Sequence, residues 1–354
     1  MPTPQSTSRA RWSGALIAVL TVVLLWWFIR DLDGAALRRA FTSADMRLVG
    51  LAVLTTLQTY VIRAVRWQTM LRPLGQVRFG PAFRTTVIGF FPFPARAGEF
   101  IRPYLLARQE NLSFSATFAT IILERALDLT AILLLFAAAI PFLSINVGTE
   151  TRAAGAAAAV AAVVGLAALF VFAGHPERVG QGVDRLSRWL PARAAAAVGA
   201  FARKFAEGLA VMRNLQALVI LLAWSLALWV SICLGIWLVS RAFGLTVPFA
   251  GTFLVVMYLV VGVALPTPGG AGGFHVMYKV AVTQYFGATA DVAAAAAIML
   301  HLVSFGPVLV LGLLFMWQDG VTLGGVKGIR AEQDPPAGPE GKAIAAGRNK
   351  EVGS

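Results

Sequence analysis

The chain has 354 residues, 58% of them apolar and 13% charged, whereas soluble domains carry about a quarter charged residues. That balance excludes a soluble globule and predicts an all-α membrane protein, a polytopic helical bundle. The formal net charge of +13 comes from basic residues set beside apolar runs, where they mark topology and meet anionic headgroups; no nucleic acid is expected. Cys233 is the one cysteine and sits in an apolar run, and there are three histidines, so neither a disulfide framework nor a metal site is expected.

Residues 1–13 are expected to be a cytoplasmic N-terminus. The apolar run 14–29 is slightly shorter than the 20 or so residues that span a bilayer. Its Trp26-Trp27-Phe28-Ile29-Arg30 end offers no small-residue cleavage site, so it is read as a retained anchor. A mixed-charge connection, 31–47, leads to a second span at 48–65. Arg63, Arg66, Arg72, Arg78 and Arg84 then follow with no acid among them, which predicts the cytoplasmic side. Arg63-x-x-Arg66-Trp67 would lie where this helix leaves the bilayer.

The run 81–93 is apolar but too short to cross, and it ends in Phe91-Pro92-Phe93-Pro94-Ala95-Arg96-Ala97-Gly98-Glu99. Broken, polar backbone at membrane depth is tolerated where protein or a wet cavity surrounds it. A re-entrant hairpin returning along 99–108 is the economical reading. The third span, 116–145, carries Glu124, Arg125 and Asp128 in its first half, and the alanine-rich 153–173 is the fourth. The connection 174–213 has seven Lys/Arg against three acids and is assigned to the cytoplasm. Within it Phe201, Phe205, Leu209 and Met212 fall near helical spacing, which suits a helix in the headgroup plane or a soluble helical elbow packed against neighbouring loops. A fifth span at 215–239 precedes a second hairpin, 248–286, broken at Pro266-Thr267-Pro268 and the following glycines. A sixth span, 292–317, ends before a tail, 321–354, expected to be disordered. Six spans and two re-entrant hairpins put both termini in the cytoplasm and the protein in the inner membrane.

The hairpins repeat one another. Pro268-Gly269-Gly270-Ala271-Gly272-Gly273-Phe274 matches Pro94 to Phe100 in Pro, Ala, Gly and Phe, 174 residues downstream. The same offset brings the charged triad of the third span close to His301. Halves at about 48–173 and 215–317, entered from opposite sides, make an inverted repeat within a membrane domain at 14–320. In such transporters broken helices meet near the midplane and aim their amide-rich starts at an anionic group.

Arg96, Arg102 and Arg125 suit a phosphate headgroup, because a guanidinium is a planar fork of donors that stays charged when desolvated. The alternative is an internal ion-pair network joining Arg96 or Arg125 to Glu99, Glu124 or Asp128. Glu124 and Asp128, one helical turn apart, also suit proton or cation coupling. Pro268, Gly269, Gly270 and Gly272, within Pro266 to Gly273, could form a backbone-amide cradle at the tip of the second hairpin or simply allow close helix packing; Gly98, at the turn of the first hairpin, is grouped with Arg96 and Glu99 as a candidate for substrate binding. His275 and His301 could exchange protons or serve as hydrogen-bonded core residues. There is no nucleotide-cradling loop, two-histidine metal helix or nucleophile elbow, so no catalytic residue and no cofactor is assigned.

Four motifs in order, Arg63-x-x-Arg66-Trp67, Pro94-x-Arg96-Ala97-Gly98-Glu99-x-x-Arg102, Glu124-Arg125-x-x-Asp128 and Pro266-x-Pro268-Gly269-Gly270-x-Gly272, resemble the flippase-like integral-membrane family related to the transmembrane region of lysylphosphatidylglycerol synthases. The resemblance covers roughly residues 10–320 and implies a stand-alone member without the synthase domain. One departure stands out: Gly273-Phe274-His275 occupies a place where the family is expected to carry an acid. The resemblance implies a translocase for an anionic amphiphile, a phospholipid or polyprenyl-phosphate-linked lipid. An intramembrane transferase and a scaffold for envelope-synthesis enzymes are the alternatives. Membrane lipids are the expected partners, with a homo-oligomer open.

Overall fold

The computed structural model describes residues 18–93, 97–143, 148–174, 192–265 and 267–321, and among them every regular element is helical. In chain order these are α1 (Ala18–Ile29), α2 (Gly34–Ser43), α3 (Met46–Leu71), α4 (Phe79–Phe90), α5 (Gly98–Gln109), α6 (Phe114–Ala139) and α7 (Thr149–Gly174). They continue with α8 (Ala192–Gly208), α9 (Leu215–Ala242), α10 (Phe249–Ala264), α11 (Gly273–Phe286) and α12 (Ala290–Gln318). Three of them, α3, α9 and α12, are long and apolar enough to cross a membrane. Helix α6 has comparable length, 26 residues, but carries three charges at its centre.

Several helix starts follow from local chemistry. Asp33 and Asp45 accept the backbone N–H of Ala35 and Arg47 at the starts of α2 and α3, and Asn214 does the same for Ala217 at α9. Such caps satisfy amides that have no partner within the helix. The stretch 31–47, expected to be a simple connection, therefore contains a helix. The Asp33 N–H also donates to Asp291 in the first turn of α12, at 2.9 Å.

Helices α3 and α9 pack side by side and antiparallel. The Asp45 N–H donates to the Ala242 carbonyl at one end, and Arg66 reaches Ser225 toward the other. Each long helix leads into a pair of short ones and then another long one: α3, α4, α5, α6 and α9, α10, α11, α12. The short helices have 12, 12, 16 and 14 residues.

Both short pairs cross at glycine. A Cβ added to Gly98 would strike the Gly89 carbonyl, and one added to Gly273 would strike the Gly262 carbonyl. Two backbones can approach this closely only where neither carries a side chain. The tips of the pairs also meet, since a Cβ on Gly269 would lie 3.9 Å from that of Pro92.

The main apolar core gathers α9 to α12 with parts of α1, α3 and α6; a second one joins the end of α3 to α6 and the segment 209–221. Leu209 and Met212 are buried in the second core, whereas Phe201 is exposed. Gly208 sits against the Ala116 carbonyl, so the end of α8 packs on the start of helix α6.

Candidate functional site

The second half of α3, the start of α5 and the first half of α6 meet around one carboxylate. Glu124 has no exposed surface. Its Oε2 accepts from Arg102 Nη1 at 2.9 Å and its Oε1 from Arg125 Nη2 at 2.7 Å. Arg66 and Arg63 approach the same Oε1 at 3.4 and 3.7 Å. One turn along α6, Asp128 accepts from Arg66 Nη1 at 2.6 Å, and that nitrogen also donates to Ser225 at 2.8 Å. Four guanidiniums thus face two carboxylates, a formal surplus of two positive charges in the interior. Charges are costly at membrane depth unless paired or facing a cavity.

Aromatic faces hold the guanidiniums in place. Arg102 stacks 3.8 Å over the Trp67 ring, and the Trp67 indole N–H is fixed by Thr120 at 2.9 Å. Arg63 lies 4.5 Å over Phe90, a cation–π contact that helps a desolvated cation. Polar valence remains open: Arg63 Nη1, Arg66 Nε, Arg102 Nη2, Arg125 Nε and Asp128 Oδ2 are buried without a hydrogen-bond partner.

A cavity of about 470 Å³ lies against this cluster. Arg63, Arg125 and Asp128, with Thr59 and Tyr60, form one wall. The rest is mostly apolar, supplied by α6, α9, α10 and α12 through residues such as Ile132, Ile236, Leu259 and Val303. Phe274 and Phe305 close the side nearest the second short pair.

That second pair is built differently. Gly269, Gly270 and Gly272 have φ of 60°, 73° and 85°, left-handed backbone that glycine adopts without strain. The Gly272 N–H donates to His275 Nδ1 at 3.3 Å, and His301 Nε2 donates to the Gly269 carbonyl at 3.0 Å. The two imidazoles lie 4.7 Å apart between Phe28, Phe274 and Phe305. Helix α1 covers this tip, with Leu24 against Gly272 and Lys279 donating to the Phe28 carbonyl at 3.1 Å.

Among the residues nominated from the sequence, Arg102, Glu124, Arg125 and Asp128 come together in one cluster. Glu99 is half-buried in the first turn of α5; it makes none of the close ion pairs above but acts on Arg125 from a longer distance. Gly98 serves the helix crossing. Pro268, Gly269, Gly270, Gly272 and His275 gather at the other tip, and Arg96 lies outside the described residues. Arg63, Arg66 and Trp67, expected where this helix leaves the bilayer, are all buried against neighbouring helices. Their motif spacing was visible, i and i+3 on one helical face, but counting them as surface charge hid them. Two carboxylates on α6 needing countercharges were the signal that could have found them.

The family profile described as the lysylphosphatidylglycerol synthase TM region matches residues 12–312. A UPF0104 membrane protein of Methanothermobacter thermautotrophicus is 23% identical over 85% of this chain and 94% of its own length. A UPF0104 membrane protein of Pyrococcus horikoshii is 32% identical over 31% of this chain and 33% of its own. The glycosyltransferase AglD of Haloferax volcanii is 31% identical over 34% of this chain, a match that spans only 19% of that protein.

Proposed function

The chain belongs to the family of the lysylphosphatidylglycerol synthase transmembrane region, and from that premise we propose that it is a lipid translocase moving an anionic, phosphate-bearing amphiphile between leaflets of the inner membrane. The observation that carries this reading is the cavity with a cationic surplus at one wall and apolar side chains over most of the rest. Arg63 and Arg125 would meet the phosphate, with Arg66 and Arg102 raising the local positive potential behind them. A guanidinium against phosphate makes strong charge-assisted hydrogen bonds in such a site.

Helix lengths support the transport geometry of this reading. At 1.5 Å per residue the short helices reach roughly 18–24 Å, less than the ~30 Å hydrocarbon core. Two re-entrant hairpins whose tips meet, in halves headed by the antiparallel α3 and α9, fit an inverted repeat with six further spans. Alternating access would come from rocking one half against the other around the cavity. Both termini would face the cytoplasm. The glycine tip of the second hairpin and His275 would complete the substrate path from the opposite half.

The glycosyltransferase name of the Haloferax relative supports a second reading, an intramembrane transferase acting on a lipid-linked donor. Glu124 does not reach the cavity and is engaged by arginines, which leaves Asp128 as the cavity carboxylate for such chemistry. Reconstitution into vesicles with headgroup-labelled anionic lipids separates the two. Relocation of an unchanged lipid is expected; a new lipid species on mass spectrometry without relocation would replace the translocase by the transferase.

A further inference from the structure

The cavity has an apolar edge on the outside of the protein. Leu129 of α6 and Val260, Val263 and Ala264 of α10 line it, and all four are exposed. Leu129 is 53% and Val260 38% exposed. In a membrane-spanning bundle an exposed apolar rim of this kind faces lipid tails, whereas Arg63 and Arg125 stand on the polar wall of the same space. The volume adds a constraint. About 470 Å³ falls within the ~300–1,000 Å³ of pockets that enclose drug-sized ligands, so a headgroup and the start of a chain fit but a whole lipid does not. The remaining hydrocarbon has to leave the cavity where its rim is apolar.

We propose that the gap between α6 and α10, rimmed by Leu129, Val260, Val263 and Ala264, is a lateral portal through which the hydrocarbon chain of a phosphate-headed lipid passes while its head rests at Arg63 and Arg125. This rests on the lipid reading above and adds to it a route and a chain-binding surface. The lipid enters sideways from a leaflet, with its head drawn to the cationic wall and its chain never leaving an apolar surface. A chainless phosphate has no hydrocarbon to place at the rim, so its contacts are with the cationic wall alone.

The test uses the full chain in detergent with two probes, 1-palmitoyl lysophosphatidic acid and glycerol 3-phosphate, which share a head and differ in the chain. Leu129→Trp and Val260→Trp fill the rim at exposed positions, and Leu314→Trp is a control at an exposed position outside the cavity lining. The rim variants are expected to weaken lysophosphatidic acid at least tenfold and leave glycerol 3-phosphate within twofold of wild type, while the control changes neither. Arg125→Ala is expected to weaken both probes. Rim variants that bind lysophosphatidic acid as wild type does would overturn the portal and leave the amphiphile site standing. A wild-type protein that binds neither probe would overturn the phosphate-lipid reading itself, and the portal with it.

Discussion

The two short-helix pairs share a backbone plan and differ almost completely in what they bury. Both cross at glycine, both turn back at a Pro/Gly segment, and both are followed by a long helix that supplies side chains to the region. Around the first, α3, α5 and α6 bring four arginines and two carboxylates together. Around the second, the corresponding space holds two imidazoles, aromatic rings and left-handed glycines. The crossing geometry depends on small residues and tolerates either filling, because other side chains, Glu124, Arg125 and Asp128 on α6 and His301 and Phe305 on α12, set what each region holds.

The largest effect is expected at the centre of the charged half. Glu124→Gln removes the carboxylate that four arginines share and raises the formal surplus from two to three, so it should cost about 3–5 kcal/mol of stability. Loss of folded protein in detergent, followed by thermal unfolding, measures it. A Glu124→Gln protein as stable as wild type would end the contrast between the halves.

Arg63 separates stability from binding. It makes only the longer ion contacts of 3.7 and 3.9 Å, and its removal reduces the surplus, so Arg63→Ala should unfold close to wild type. Its loss at the cavity wall removes charge-assisted hydrogen bonds worth about 1.5–3 kcal/mol, or roughly ten- to a hundredfold in phosphate-lipid affinity. Arg63→Lys should recover part of this, since charge returns without the fork. Unchanged affinity in Arg63→Ala at normal stability would move the headgroup away from this wall.

The shared plan predicts matched costs. Gly98→Ala and Gly273→Ala each force a methyl against a backbone carbonyl, and overpacking of this kind costs about 1–3 kcal/mol. Similar losses in unfolding temperature are expected from the two. A large loss in one alone would show that the crossings are not equivalent.

The smallest effect belongs to the neutral half. His301→Phe removes the hydrogen bond to the Gly269 carbonyl and retains the ring stack, so it should cost about 0.5–1.5 kcal/mol and leave headgroup affinity unchanged. Affinity that fell with His301→Phe as far as with Arg63→Ala would place the head between the halves.

The length and apolarity of the runs determined where the long helices lie, because a long apolar run in a membrane must satisfy its amides internally, whereas the polar helix α2 escaped that reading. Helices α9 to α12 begin and end within a few residues of the boundaries expected for them, and both short-helix pairs break where proline and glycine interrupt helical hydrogen bonding. The likeness of the two short-helix pairs was legible because Pro, Ala, Gly and Phe recur at a fixed offset of 174 residues. Arg102, Glu124, Arg125 and Asp128 were legible as charges inside apolar runs. Tertiary structure alone decided that Arg63, Arg66 and Trp67 belong with them. A guanidinium near a helix end looks the same in sequence whether it meets headgroups or turns inward, and only the packing of α3 on α6 and α9 brings a carboxylate and Ser225 within reach. The cavity had no sequence signature either, since its walls come from helices far apart in the chain and its polarity from which face each one presents.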